Sequence, residues 1–451
     1  MMIGRPTGRA NVEHVPSIVS WNVTSACNLH CPHCYLDAGR RRIDELSTAE
    51  CLAVVDELAA AGTELLILTG GEPLLRKDLP ALANRASKLG MSVVLGTTGT
   101  LIDRRRASVL KSSGVTAVGV SLDSLDAAKH DAFRGLPGAW RRAVAGIAAC
   151  RDEGLDVLIH VTALRMNQQE IPALVQFAHE QGARVCQLFF LICTGRGEHL
   201  TDLSPEEYES LLVWVLEAQG RYPGMMVRAR CAPYIGRLAR QRSANLFWSA
   251  GCLAGTRYCR ITPSGDVTPC PYLPTVVGNV RSDGFRAIWR SSPELVRLRA
   301  PRLGGKCGRC RFSQGDDPVC VGCRARALAL TGDALAADPW CLYEPEQGPG
   351  APGPETTDAS PPREEPVGQV VLAWTDEAQA RLGRVPSYMR GRVRQIAEAY
   401  ARRQGLGEVT PCVLDVLRQW APPAPRASGS GNRGVLPGCP ASRRDSLDTS
   451  P

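Results

Sequence analysis

The residues best suited to chemistry are cysteines. The chain has 451 residues and 18 cysteines, most of them in two groups. The first group is Cys27-x3-Cys31-x2-Cys34. Three thiolates on one loop can hold three irons of a [4Fe–4S] cube and leave the fourth iron open. A zinc knuckle is the alternative, but structural zinc wants four ligands, and only His30 or His33 is at hand to complete the set. The second group runs Cys252-x6-Cys259-x10-Cys270, then Cys307-x2-Cys310-x9-Cys320-x2-Cys323-x17-Cys341. Its eight thiolates can hold two cubes of four, while Cys307 to Cys323 alone also reads as a zinc ribbon. Cys51, Cys150, Cys186, Cys193, Cys231, Cys412 and Cys439 read as largely ordinary residues, with Cys51 and Cys150 as small buried hydrophobes on helices. Cys193, after a strand, is the one of these placed to face a site.

These groups need elements to position them. From Ser17 to about Leu191, short β-branched runs alternate with longer helical patterns. The expected strands are Ile18–Thr24, Leu65–Thr69, Ser92–Thr97, Ala117–Leu122, Val157–Ala163 and Val185–Leu191. The expected helices are Thr48–Ala61, Leu79–Leu89, Asp103–Ser113, Ala139–Glu153 and Gln168–Gln181. Ser47 and Glu50 form a capping box, and a glycine follows each helix, where a left-handed residue ends it. Repeated β/α units with apolar strands mean a parallel sheet. Six of them give an α/β fold, a partial (β/α)6 TIM-type barrel over 15–200, whose chemistry belongs at the strands' carboxyl ends. The Cys27–Cys34 loop follows the first strand directly.

The rest divides by composition. Residues 201–250 read as a connecting helical region with one helix, Pro205–Gln219. Residues 251–345 form a Cys-rich Fe–S extension, too poor in core to hold itself without staples. Residues 346–368 read as a disordered linker. Residues 369–421 read as a small helical domain of three helices, Thr375–Arg384, Arg390–Gln404 and Pro411–Trp420. Residues 422–451 read as a disordered tail.

Composition excludes several classes. Hydrophobic residues make up 44% and charged ones 22%, as in an ordinary globular protein. No apolar stretch approaches the roughly 18–20 residues of a spanning helix, and the start lacks a secretory pattern. The expectation is a cytoplasmic chain, not a membrane protein. The net charge of +8 comes from scattered arginines, which do not indicate nucleic-acid binding and leave room for an anionic substrate.

With the cysteine loop, Gly70-Gly71-Glu72-Pro73 after the second strand resembles the radical S-adenosylmethionine (SAM) superfamily. The resemblance implies a SAM-binding [4Fe–4S] cluster on Cys27, Cys31 and Cys34, which cleaves SAM reductively to a 5′-deoxyadenosyl radical. It implies cofactor contacts from Gly70, Gly71 and Glu72, from Thr98 in Thr97-Thr98-Gly99-Thr100 (Asn is usual there), from Ser121 and Asp123, and from Arg134, expected on the SAM carboxylate. The second cysteine group, with Gly265 five residues before Cys270, resembles the SPASM extension, which houses auxiliary [4Fe–4S] clusters. By that family's wiring, Cys252, Cys259, Cys270 and Cys323 hold one cluster and Cys307, Cys310, Cys320 and Cys341 the other. The x9 and x2 spacings depart from the usual x5 and x3.

Further stretches resemble radical SAM proteins of haem d1 and alternative haem biosynthesis: Ser20–Thr24, Gly119–Ser124, Phe189–Leu191 with Thr194–Gly197, and Gly251–Cys259. Trp374, Arg384-Val385-Pro386, Arg390 and Ile396–Ala401 are similar to the C-terminal domain of light-independent protochlorophyllide reductase, another tetrapyrrole enzyme. These resemblances imply an enzyme that alters tetrapyrrole side chains. The adenosyl radical takes hydrogen from a propionate β-carbon. Loss of CO2 then leaves a vinyl group and one electron for an auxiliary cluster. One relative type so converts Fe-coproporphyrin III to haem b. An anionic tetrapyrrole wants arginines, with Arg165 and Arg196 just beyond strands as candidates. His14, His160 and His199 are candidates to approach a substrate iron. The implied partner is a low-potential electron donor such as ferredoxin or flavodoxin. A maturase of ribosomal peptides is the alternative reading.

Overall fold

The computed structural model describes residues 14–346 except 201–202, 245, 247–250 and 316–317, and residues 372–419 except 386–389 and scattered positions between 391 and 403. The chain divides into two compact units, Met1–Pro345 and Glu346–Pro451.

The first unit is built on one long sheet with strands Ile18–Asn22 (β1), Leu65–Thr69 (β2), Ser92–Thr97 (β3), Val115–Ser121 (β4), Asp156–Ala163 (β5), Val185–Phe190 (β6), Met226–Arg230 (β7), Tyr258–Ile261 (β8), Asp266–Thr268 (β9) and Gly278–Asn279 (β10). Their order is β10-β9-β8-β1-β2-β3-β4-β5-β6-β7. Pairing is parallel from β8 through β7, and antiparallel only among β8, β9 and β10. The β7 and β8 edges do not pair, so the barrel is partial.

Alternation sorts the strands' side chains. Val19, Trp21, Leu66, Leu68, Val93, Leu95, Val120, Ile159 and Leu188 are fully buried in the main core. Burying each such side chain contributes about 1.5–3 kcal/mol. The covering helices Thr48–Ala60, Leu79–Lys88, Arg104–Ser112, Ala139–Asp152 and Ile171–Glu180 send Val55, Leu58, Leu82, Leu110, Ile147 and Leu174 into that core. The capping box on the first is present: Ser47 N donates to Glu50 at 2.7 Å and Glu50 N to Ser47 Oγ at 3.3 Å. The opposite, inner face is polar, and it carries the site.

The expected barrel is there, with two more parallel strands than the sequence pattern gives. β7 falls within 201–250 and β8 within the cysteine-rich segment. Both were hidden by their inward arginines: a buried parallel strand is expected to be apolar throughout, whereas MVRAR puts charge on alternate positions and YCRI carries one arginine among its four residues. Residues 201–250 are therefore part of the barrel, not merely connecting. A short helix, Ala127–Arg134, was also not expected; Asp126 caps it by accepting from Ala128 N at 2.8 Å.

In the second unit, helices Asp376–Gly383 and Pro411–Gln419 accompany a two-residue parallel pair, Ala373–Trp374 with Glu408–Val409. Ala397, Ala401, Val409 and Val413 form its small core. Trp374 Nε1 donates to Glu398 at 3.0 Å, with the Arg394 guanidinium 4.6 Å from the Trp374 ring centre. The helix expected over Arg390–Gln404 falls on partly described residues. Nearly all of the expected linker and the tail lie outside the described residues. Cys412 is disulfide-bonded, not the ordinary thiol expected. No helix among the described residues is long and apolar enough to cross a membrane.

Candidate active site

The Cys27–Cys34 loop leaves β1 and lies across the carboxyl ends of the strands. Cys27, Cys31 and Cys34 pack in one small cluster with Leu29, Leu136 and Ala139. Leu29 N donates to Cys27 Sγ and Ala38 N to Cys34 Sγ, both at 3.4 Å. Arg134 Nη1 lies 3.7 Å from Cys31 Sγ. Such donors favour thiolates. Burial nevertheless pushes the Cys27 thiol up to about 11, helped by Glu72, Cys31 and Cys34. Three crowded thiolates need a positive centre, which iron supplies. His33 stacks on Phe133 at 4.5 Å and 5°, and His30 N donates to Arg134 O at 3.1 Å, so both histidines shape the loop.

The Gly70–Pro73 loop follows β2 and presses on this loop. A Cβ on Gly71 would collide with Ala26 O and come within 2.9 Å of Cys27 Cβ. Only glycine permits that approach. Glu72 is fully buried and accepts from Thr98 N at 2.8 Å, Thr98 Oγ1 at 2.7 Å, Thr97 Oγ1 at 2.8 Å and Leu74 N at 3.1 Å. Burial raises its carboxyl pKa against these donors. Glu72 thus braces two strand ends, and Thr98 supplies a hydroxyl to it. Asp123 is fully buried; it accepts from Arg134 Nε at 2.7 Å and Thr162 N at 2.8 Å. The Arg134 guanidinium is therefore shared between Asp123 and Cys31. Ser121 ends β4 on the inner face.

The two predicted substrate arginines both have protein partners in the structure. Arg165 is half-exposed and pairs with Glu207 at 3.3 Å. Arg196 is spent on the cluster loop: Nε donates to Cys31 O at 3.0 Å, and Nη1 to Asp37 and Ala38 O, both at 2.8 Å. Strand-end position pointed to both, but each has a nearer partner. Among the described residues, the inner-face strand positions flanking the open side carry Arg228 and Arg230 of β7 and Arg260 of β8. Register puts Ser121, His160, Gln187 and Arg228 in one row across β4 to β7, and Thr162, Phe189 and Arg230 in the next. Arg230 Nε contacts Gln187 Oε1 at 3.4 Å, and Arg260 Nη1 donates to Pro271 O at 3.2 Å. A Cβ on Gly119 would collide with the His160 ring. His160 Nε2 is buried with no hydrogen-bond partner, as is Asn22 Oδ1. Burial, then Arg228, Arg230 and Arg134, hold the imidazole down to about 4, so it is neutral at pH 7. His14 is exposed and gives its carbonyl to Trp289 Nε1. The His199 side chain lies outside the described residues. Cys193 packs with Phe133, Leu164 and Leu191.

In the extension, Cys323 packs in a cluster with Cys231, Cys252 and Cys270. Burial raises the Cys270 thiol well above its ordinary value, followed by its neighbours Cys252 and Cys323. Cys259, expected in this set, does not join it. It sits on β8 opposite Val19 of β1, facing the helices in the main core. Cys320 is raised by burial and then by the nearby Cys341 and Cys307, while Cys310 N donates to Cys307 O at 3.3 Å. Asp338 N donates to Cys307 Sγ and Gly322 N to Cys320 Sγ, both at 3.4 Å. Among the described residues no three His, Cys, Asp or Glu side chains form a single-ion site. A cube instead takes each thiolate on a different iron, and the buried, grouped thiols with N–H donors fit that group.

Comparison with known proteins fits this geometry. The Radical SAM superfamily pattern matches residues 21–178, an iron-sulfur cluster-binding domain (SPASM) matches 252–311, and the pattern of the proto-chlorophyllide reductase 57 kD subunit matches 374–418. The chain belongs to the radical SAM superfamily, and its cofactors are [4Fe–4S] clusters and SAM. It is 38% identical to the AdoMet-dependent heme synthase of Methanosarcina barkeri, over 74% of this chain and 98% of that protein. It is 34% identical to the pre-heme d1 synthase of Dinoroseobacter shibae, over 72% of this chain and 85% of that one. Among solved structures, Streptococcus suis SuiB bound to S-adenosylmethionine superposes with a TM-score of 0.61 at 18% identity, over 73% of this chain and 78% of that one. That likeness shows the fold alone.

Proposed function

We propose that the protein oxidatively decarboxylates propionate side chains of an iron porphyrin, converting Fe-coproporphyrin III to haem b. The observation that carries this reading is likeness to a heme synthase along 98% of that protein's length, and the cationic inner face supports it. When bound, the clusters and SAM supply the hydrogen-abstracting radical and an acceptor for the leftover electron. The chain's own residues bind and orient. Arg228, Arg230 and Arg260 offer planar donors that suit carboxylates. An arginine clamped on the departing carboxylate would oppose its loss as CO2, so these three hold the propionates that remain. Neutral His160, on the inner face with Nε2 unpartnered, is the histidine best suited to serve as acceptor or iron ligand. A low-potential donor such as ferredoxin or flavodoxin supplies electrons, and the cytoplasm keeps the cluster cysteines reduced.

The test is anaerobic reconstitution with SAM, a reductant and Fe-coproporphyrin III, read by mass spectrometry. Stepwise loss of two CO2 is expected. An unchanged porphyrin, with didecarboxysiroheme equally unchanged, would sink the tetrapyrrole reading and favour a peptide substrate. Arg260→Gln is expected to weaken porphyrin binding in an absorbance titration without changing iron content.

A further inference from the structure

Cys231 is outside both cysteine motifs and outside the matched extension, which begins at residue 252. It directly follows Arg230, the last residue of β7, at the strand end where barrel chemistry sits. Its side chain packs in the cluster that holds Cys252, Cys270 and Cys323. Its backbone is left-handed, with φ of +62°. A non-glycine residue held there costs roughly 1–3 kcal/mol unless its surroundings impose it. One such restraint is visible: Arg326 Nη2 donates to Cys231 O at 3.1 Å. Arg326 belongs to the helix Arg324–Thr331, which Cys323 caps, so one guanidinium ties the two cysteines' segments together. Cys259, by contrast, lies on β8 opposite Val19, in the main core and not in this cluster.

We infer that Cys231, and not Cys259, is the fourth thiolate of the auxiliary cluster held by Cys252, Cys270 and Cys323. Four thiolates saturate all four irons, so this cluster passes electrons and binds no substrate. The inference rests on the cofactor assignment and is independent of which substrate the enzyme takes.

The test uses the full chain, reconstituted anaerobically, in a background with Cys27, Cys31 and Cys34 changed to alanine so that only auxiliary clusters remain. Iron, sulfide and the EPR spectrum of the reduced protein are read for Cys231→Ala and Cys259→Ala. The expected result is loss of about four irons in Cys231→Ala, or a cube with changed g values that respond to added thiol. Cys259→Ala should match its parent. Unchanged iron and EPR in Cys231→Ala, or loss confined to Cys259→Ala, would overturn the inference. A parent with no auxiliary iron would overturn it together with the extension's cluster assignment. If circular dichroism shows that Cys231→Ala does not fold, Cys231→Ser replaces it. A hard oxygen ligand should shift the midpoint potential and g values, and an unshifted cluster would again overturn the inference.

Discussion

In the Cys27–Cys34 loop, all three thiols come from one short stretch, and the barrel braces them from outside through Glu72, Arg134 and Arg196. In the extension, thiols come from distant stretches, and the bracing runs through one buried network centred on Arg326 and Asp338. Arg326 is buried between Asp338 at 3.4 Å, the Cys231 carbonyl and the Tyr208 hydroxyl, with Trp340 at 5.3 Å. Asp338 also accepts from Cys323 N at 2.8 Å and Trp340 N at 3.1 Å. The first site rests on strand ends that the apolar core already fixes. The second adds a buried ion pair within the extension, Arg326–Asp338, from which Arg326 reaches the Cys231 carbonyl and the Tyr208 hydroxyl of the barrel. The first region is therefore preorganised, and the second depends on its network.

Removing a ligand from each region separates their roles most sharply. Cys31→Ala should abolish 5′-deoxyadenosine formation and remove about four irons. Cys310→Ala should also lose iron yet still cleave SAM, measured by chromatography of the nucleoside. If Cys310→Ala abolished cleavage as fully as Cys31→Ala, the division between a radical-generating loop and an electron-accepting extension would fail.

Next comes the ion pair. Asp338→Ala strands Arg326 in a buried site, which costs about 3–5 kcal/mol. Anaerobic thermal unfolding should show a large drop. Breaking the exposed Arg42–Asp44 pair should change nothing measurable. A small loss at Asp338 would mean that the extension does not depend on this pair.

The same contrast explains what the sequence disclosed. The first cluster was legible because its ligands and its motif partner Gly70–Glu72 are local stretches with fixed spacing. β7 and β8 were not, because Arg228, Arg230 and Arg260 break the apolar pattern that marks a buried parallel strand. Cys231 escaped notice because only the fold brings it to Cys323. Arg196 could not be assigned from sequence because a guanidinium beyond a strand suits a substrate carboxylate as well as it suits Cys31 O, and the fold is what brings Cys31 O to it. The signal that could have found β7 is the alternation Met226, Arg228, Arg230 just before a cysteine.

Glu72→Gln probes the preorganised region more gently. Glu72 accepts on both oxygens, from Thr98 on Oε2 and from Leu74 N on Oε1, and glutamine has only one oxygen, so in either orientation a backbone N–H faces an amide nitrogen. A loss of about 1–3 kcal/mol is expected, together with weaker SAM binding by equilibrium dialysis. Lost stability with unchanged SAM affinity would make Glu72 purely a brace.

The smallest effect concerns His160 and vanishes at neutral pH. Its imidazole is held to about 4 in the folded protein, against about 6.5 unfolded. Between these values the unfolded state takes a proton that the native state refuses. Stability therefore falls as pH drops below about 6.5, with a slope of up to about 1.4 kcal/mol per pH unit from this group. Arg228 and Arg230 face it from β7 and Arg134 from the helix before Gly135, while Phe189 packs edge-on at 5.3 Å. His130, held to about 4, and His33, held to about 3, act in the same direction and remain in the variant. His160→Gln should match the parent near pH 7.5 and lose less stability by pH 5, read as chemical-denaturation midpoints under anaerobic conditions. An equal acid dependence in both would mean that His160 takes its proton in the folded state, and with it that the inner face is wetter than its buried, unpartnered Nε2 implies.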